Sequence, residues 1–349
     1  MILRGELRGN RQWNSILKHH TLTRMSGVRV HCVHNFRDPF RAEFEPLIDR
    51  AVSITWGPEL PSPADFEILV AGRPSPEELG ASPNIRALVI PWAGLPVQTQ
   101  AVLKDFRDLP VHNLHHNAAP TAEMALTLMM AAAKEIIPID QSIRRHDWTL
   151  RYNDTRALSL EGRTALILGF GAIGQRVARY CEALGMTVEI VRRHVEDAVG
   201  GEYCQHSVLD LPVLLPYANV FVITLPMTDD TRNMIGQHEL ALLPDNAVIV
   251  NVARGAIIDE EALYNQLASG RLRAGLDVWY NYPTDESSRS STPPSRFPFA
   301  DLPNVVMTPH LAGHSGETER LRALALAEVL NAAANGAAMP NRVDVALGY

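Results

Sequence analysis

One stretch narrows the choice of fold more than any other. The apolar run Ala165-Leu166-Ile167-Leu168 leads straight into Gly169-Phe170-Gly171-Ala172-Ile173-Gly174, and helix-forming sequence follows over 175–184. A second strand-like run occupies 187–191. Strand, glycine turn, helix and strand in that order mark a βαβ unit that cradles the pyrophosphate of a dinucleotide. Each glycine has a separate task. Gly169 makes the tight turn, Gly171 lets the backbone approach the pyrophosphate, and Gly174 lets helix pack on strand. The anion then rests on the helix N-terminus, where free N–H groups and the helix dipole favour negative charge. A purely structural glycine-rich turn is the competing reading; the flanking strand and helix favour the first.

The rest of the chain repeats the same rhythm. Strand-like runs at 164–168, 187–191, 220–225, 247–252, 276–279 and 305–307 alternate with helix-like segments. Such alternation predicts a parallel sheet covered by helices on both faces. Upstream, 28–33, 68–70 and 87–90 read as further buried strands among Pro-rich loops. Residues 122–137 are rich in Ala, Leu, Met and Glu and predict a long helix, which Pro138 should kink or end. A last helix is expected over 317–335, and the polar run 286–295 reads as an exposed loop.

Composition excludes several classes. The 349 residues suggest two domains, and 46% hydrophobic content is enough for real cores. A formal charge of -7 argues against nucleic acid or an acidic membrane surface as partner. No apolar run approaches the roughly 20 residues of a membrane span. Cys32, Cys181 and Cys204 form no paired pattern, which points away from a disulfide framework or zinc site and toward a reducing cytoplasm. His112, His115 and His116 lie close in sequence without a carboxylate spaced to complete a metal site, so no metal is expected. Residues 1–27 are read as a flexible extension: the first 24 carry five Lys or Arg against one acid, Glu6, and have no apolar core of a signal peptide.

The second strand of the βαβ unit ends in Val191-Arg192-Arg193-His194. An NAD-preferring unit places a carboxylate about 20 residues past the turn, on the ribose 2′-hydroxyl. Arg192 takes that place here. With Arg193 it can bind a 2′-phosphate through charge-assisted hydrogen bonds. The expected cofactor is therefore NADP(H), with NAD(H) as the second possibility; solvated surface charge is the alternative for both arginines.

Four further segments carry a resemblance. They are Asn117-Ala118-Ala119-Pro120-Thr121-Ala122-Glu123, Asn251-Val252-Ala253-Arg254-Gly255, Ala274-Gly275-Leu276-Asp277-Val278-Trp279, and Thr308-Pro309-His310-Leu311-Ala312-Gly313. Their order, behind the glycine turn, resembles the D-isomer-specific 2-hydroxyacid dehydrogenases over roughly residues 28–349. The resemblance implies an α/β protein with a Rossmann domain, 121–313, inserted into a flavodoxin-like substrate domain, 28–120 plus 314–349. It implies hydride transfer between the cofactor and a small 2-oxo or 2-hydroxy acid in the cleft between them, and a homodimer formed near the helix at Thr121. By the same resemblance Ala172 and Ile173 touch the pyrophosphate, while Leu225, Pro226 and Thr231 line the adenosine and pyrophosphate side. Val252, Ala253 and Asp277 lie by the nicotinamide, with Gly313 beside the cofactor. Trp92, Ala93, Gly94 and Asn117 hold the substrate. Arg254 clamps its carboxylate, and His310 is the acid/base.

The pattern breaks at one position. The family's histidine partner is a glutamate five residues after the aspartate of the Asp-Val segment, and here that residue is Tyr282. A phenol is neutral at pH 7 and cannot support an imidazolium by charge. Three readings stay open: Tyr282 orients His310 by a hydrogen bond, Asp285 or Glu286 folds back to replace the carboxylate, or the chemistry resembles formate oxidation, where a neutral residue stands at this place. A dinucleotide-binding regulator without efficient turnover is the alternative from another class; retention of Arg254 and His310 weighs against it. The cofactor reading has a direct test. Arg192→Asp should lower the NADPH/NADH ratio of kcat/KM by tenfold or more; an unchanged ratio would show that Arg192 does not read the 2′-phosphate.

Overall fold

The computed structural model describes residues 27–36, 38–153, 157–193, 195 and 203–349. The N-terminal extension lies outside the described residues except for Gly27, as does His194.

The first sheet is built from five short strands, β1 (Val28–Cys32), β2 (Val52–Trp56), β3 (Ile68–Val70), β4 (Ala87–Ile90) and β5 (Val111–Asn113). All pair in parallel in the order β2-β1-β3-β4-β5, the flavodoxin-like arrangement. Strands β3 and β4 are buried along their whole length, which is why they read as unbroken apolar runs. Helices α1 (Asp38–Phe44), α2 (Pro76–Gly80) and α3 (Val97–Val102) join them.

The chain then crosses into α4 (Ala118–Ala133) and α5 (Ile136–Arg144) and enters the second sheet. Its strands are β6 (Thr164–Leu168), β7 (Thr187–Val191), β8 (Cys204–His206), β9 (Val220–Ile223), β10 (Val248–Asn251), β11 (Arg273–Leu276) and β12 (Val305–Met307). They lie in the order β12-β11-β10-β9-β6-β7-β8, all parallel. The centre of that order is the Rossmann pattern, reversing direction between β6 and β9. Helices α6 (Gly174–Ala183), α7 (Leu211–Leu214), α8 (Gln237–Leu242) and α9 (Glu260–Ala268) follow their strands. The last helix, α10 (Thr318–Ala334), returns to the first sheet and buries Ala323, Leu326 and Leu330 against Phe40, Phe44 and Val30. The second sheet is thus inserted into the first unit.

Several expectations need correction. The long helix starts at Ala118 and stops at Ala133; Glu135 at φ 54° breaks it, and Pro138 sits in the first turn of α5, where no intrahelical N–H is needed. Strand β11 begins three residues before the expected run, and 277–279 lie beyond it. Arg273 hid its start. This arginine is 1% exposed; it donates to the Ala133 carbonyl at 3.1 Å and faces Glu135 at 3.6 Å, so it caps the end of α4. Strands β2, β5 and β8 escaped the sequence reading because β2 and β8 are sheet edges and all three carry polar residues. Gly275 permits the contact that seats α4 on β11: a Cβ there would stand 2.7 Å from the Leu128 Cβ. No helix among the described residues is long and apolar enough to cross a membrane.

Candidate active site

The carboxyl-terminal ends of both parallel sheets carry the loops that meet. On the second sheet, Gly169 has φ 104° and donates its N–H to the Val191 carbonyl at 2.8 Å. A Cβ on Gly174 would stand 2.2 Å from the Gly169 carbonyl oxygen, so helix and strand approach only because that atom is missing. A Cβ on Gly171 would meet nothing within 4 Å. Gly171 therefore opens onto free space at the start of α6, with Ala172 and Ile173 beside it, and the turn fits a pyrophosphate. Arg176 reaches back from α6 to the Ala172 carbonyl at 2.6 Å.

At the tip of β7, Arg192 donates to the Gln205 side chain at 3.2 Å, and Arg193 pairs with Asp230 at 2.7 Å beneath the Tyr349 ring. The acid on this strand, Glu189, is bound to His206 at 2.7 Å. Across the turn, Thr231 works inside its own loop: its hydroxyl donates to the Pro226 carbonyl and accepts from the Thr228 N–H, both at 2.8 Å. Leu225, ahead of that loop, packs on the core.

Asn251, buried at the end of β10, shapes the next loop. Its side chain accepts from Ala253 N–H and donates to the Arg254 carbonyl, both at 3.0 Å. Val252 and Ala253 are buried in that turn, and Arg254 projects from it. Gly255 is required because a Cβ would lie 2.4 Å from the Trp279 carbonyl oxygen. Opposite stands the loop after β4. Gly94 has φ 83°, and a Cβ built on it would lie 3.8 Å from the Arg254 Nη2. The Trp92-Ala93-Gly94 backbone of the first sheet and the Arg254 guanidinium of the second therefore face each other.

His310 follows β12 in a left-handed conformation, φ 57°. Asp277, fully buried after β11, holds that segment. Its backbone carbonyl accepts from His310 N–H at 2.7 Å, and its carboxylate accepts from the Thr308 hydroxyl and from the N–H groups of Leu311 and Ala312. Burial holds the His310 imidazole below its ordinary value, and the Arg254 guanidinium adds to this against the opposing charge of Asp277. Gly313 closes on Asn117, since a Cβ would stand 2.7 Å from the asparagine Nδ2. The Asn117 Oδ1 is buried without a hydrogen-bond partner among the described residues.

Comparison with known proteins agrees with this geometry. Residues 126–312 match the family described as D-isomer specific 2-hydroxyacid dehydrogenase, NAD binding domain. A glycerate dehydrogenase of Methylorubrum extorquens is 32% identical over 247 residues, 69% of this chain and 73% of that protein. A glyoxylate reductase of Korarchaeum cryptofilum is 35% identical over 231 residues, 64% of this chain and 65% of that one. Among solved structures, a D-isomer specific 2-hydroxyacid dehydrogenase of Xanthobacter autotrophicus, in complex with NADPH and MES, superposes with a TM-score of 0.74 at 23% identity, over 93% of this chain and 100% of that one. The chain belongs to the D-isomer-specific 2-hydroxyacid dehydrogenase family. It is an oxidoreductase that binds a nicotinamide dinucleotide and moves hydride to or from a small 2-oxo or 2-hydroxy acid.

The resemblance expects a glutamate where the dehydrogenase has Tyr282, and the structure limits the readings of that position. Asp285 is tied to Ser287 and Ser288, and Glu286 to Arg289, all within one exposed loop, so neither carboxylate replaces the missing one. Tyr282 does stand against His310, ring centroids 5.4 Å apart. Its hydroxyl accepts from the Trp279 N–H at 3.0 Å and makes no hydrogen bond to the imidazole, so the two rings meet by packing alone. Sequence reasoning missed the loops after β1 and β3, where His34, Gly72 and Arg73 lie beside Trp92. The rule that ligands bind at carboxyl ends of parallel strands would have found them.

A carboxylate at position 282 would favour the charged imidazole and raise its pKa. With His310 as the acid of the reduction, as the resemblance implies, kcat/KM for a 2-oxo acid falls as pH rises through that pKa. In Tyr282→Glu the falling limb should move to higher pH by about 1 unit. An unmoved profile would show that a charge at 282 does not act on His310.

Proposed function

We propose that the chain is an NADPH-preferring 2-oxo-acid reductase, run in reverse as a D-2-hydroxyacid dehydrogenase. The observation that carries this reading is the approach of Gly94 to Arg254 across the two sheets. A guanidinium fork on one side and backbone N–H groups on the other make a clamp for a planar carboxylate. A 2-oxo acid held there presents its carbonyl toward His310. A reduced dinucleotide whose pyrophosphate lay on the Gly169–Gly174 turn would supply the hydride to the carbonyl carbon.

The protein's own groups do the rest. Arg254 holds the carboxylate and polarises the carbonyl oxygen. His310 gives that oxygen a proton, as a general acid. Tyr282 and the Asp277-bound segment keep the imidazole in place. Since His310 sits below its ordinary pKa, its protonated form is scarce near neutrality, and reduction is expected to be fastest on the acid side. Arg192, at the tip of β7 and bonded to the neutral Gln205 side chain, can bind a 2′-phosphate and hence NADPH, whereas Arg193 is engaged by Asp230. A cytoplasmic setting fits three free cysteines, two of them buried.

Assays of NADPH oxidation with glyoxylate, hydroxypyruvate and phenylpyruvate across pH 5–8 test the reading. His310→Ala should lower kcat by about 10²-fold or more while NADPH affinity stays within threefold. Tight NADPH binding with no turnover of any 2-oxo acid would instead support a dinucleotide-binding regulator.

A homodimer is part of the same reading. Ile136, Ile137, Ile139 and Ile143 of α5 are 41–48% exposed, and Trp148, Leu150 and Tyr152 continue the apolar face. An exposed apolar face of this kind marks an interaction surface, and it adjoins α4, near which the resemblance implies the pairing. Light scattering should give twice the mass of the chain, and the monomer mass for the double variant Ile139→Glu with Trp148→Glu. A monomeric unmodified chain overturns the dimer.

A further inference from the structure

The segment after α10 crosses from the first sheet to the second. It starts along the edge strand β5. The Asn113 N–H donates to the Asn341 carbonyl at 3.1 Å, and the Val343 N–H donates to the Val111 carbonyl at 2.8 Å. Val343 is buried in the same core as Val111. Residues 344–348 then fold into a closed loop. The Asp344 carboxylate accepts from the N–H groups of Ala346 and Leu347 at 2.9 and 3.0 Å, and the Gly348 N–H donates to the Asp344 carbonyl at 2.8 Å.

This loop touches both units. Gln100 of α3 donates from its side-chain amide to the Val345 carbonyl at 3.0 Å. A Cβ on Gly348 would stand 3.4 Å from the Gln100 Nε2 and 3.7 Å from the Thr228 Cγ2. Gly348 therefore sits between the first unit and the loop after β9. Tyr349 follows, and the Arg193 guanidinium carbon is 5.6 Å from its ring centroid. Arg193 in turn reaches from the tip of β7 to Asp230, in the loop after β9, at 2.7 Å.

The position of these groups gives them a role. The strand order reverses between β6 and β9, and a dinucleotide lies across the crevice at such a point, its adenosine end by the tip of the second strand, here β7. The Arg193–Asp230 pair joins the two loops that border that end. Asp230 is 75% exposed, and a pair so open to water holds weakly by itself. An aromatic ring against the guanidinium adds attraction and excludes water from one side. That ring comes from a segment anchored on the other sheet.

We propose that Asp230, Arg193 and Tyr349 form a clasp over the adenosine end of the dinucleotide, and that Tyr349 is its positioning residue, supplied to the cofactor site by the first unit. The clasp slows departure of the cofactor. It needs only the dinucleotide site, so its test is independent of which acid is reduced.

Two measurements test it: stopped-flow release of NADPH, followed by fluorescence, and calorimetric titration with 2′,5′-ADP, which carries the adenosine end alone. Tyr349→Ala should raise both the NADPH dissociation rate and the Kd of 2′,5′-ADP by about threefold or more, and Tyr349→Phe should restore both. Asp344→Ala, which unties the loop but leaves the ring, should act in the same direction. The double variant should lose no more than Tyr349→Ala alone, because both changes remove one clasp. A smaller change in either probe for Tyr349→Ala overturns the proposal. So does an Asp344→Ala chain that behaves as the unmodified one, or losses that sum in the double variant. If NADH binds more tightly than NADPH, the NADPH reading fails; the same measurements then use NADH and ADP-ribose, with the same outcomes deciding the clasp.

Discussion

The carboxylate of Asp277 has no exposure to solvent, and three hydrogen-bond donors of the 308–312 segment converge on it. Much of the site depends on this arrangement. A buried charge is costly unless its oxygens are satisfied, so the segment after β12 must wrap around Asp277 in one way. That wrapping turns His310 into the left-handed region. Backbone of that kind costs about 1–3 kcal/mol. Hydrogen bonds to a charged group contribute about 1.5–3 kcal/mol each, and three of them outweigh the strain. The imidazole is thus aimed by a fully formed buried network. Resemblance alone placed Asp277 beside the nicotinamide; in the structure its carbonyl and carboxylate hold the 308–312 segment, and its N–H donates to the Asn251 carbonyl at 3.0 Å.

Close backbone approaches do the remaining positioning. Gly174 brings α6 against β6, Gly255 lets the Arg254 loop pass the Trp279 carbonyl, and Gly313 lets the chain leaving the second sheet pass Asn117. Each is a place where one methyl group would force backbone or a short side chain apart. The Gly94–Arg254 approach joins two sheets in the same manner. The cleft is therefore assembled from missing side chains as much as from the polar groups that line it.

Tyr282, where the resemblance expects a glutamate, brings no carboxylate charge to the position but does not leave it empty. The ring fills the space beside His310, its hydroxyl is taken by the Trp279 N–H, and no carboxylate folds in from the 285–286 loop. Arg254 stands near enough to the imidazole to help hold it below its ordinary value.

Local chemistry determined a good deal by itself. The glycine turn, the run of buried strands at 68–70, 87–90 and 164–168, the last helix, and the strand-end positions of Arg254 and His310 were legible because each depends on near neighbours in sequence. The parallel sheets with a Rossmann unit followed from the alternation of strand and helix. Other features belong to tertiary structure. Edge strands β2 and β8 lack a continuous apolar signal because only one side of each is paired. The end of α4 is decided by Arg273, 140 residues away in sequence. Whether Tyr282, Asp285 or Glu286 stood beside His310 could not be read from their order, since all three are within reach of a flexible loop and only packing separates them. The cluster of Gly72, Arg73, Trp92 and His34 draws on three loops that meet only when parallel strands bring their carboxyl ends together. Contacts between segments far apart in sequence leave no local period or motif, and for that reason they were decided only by the fold.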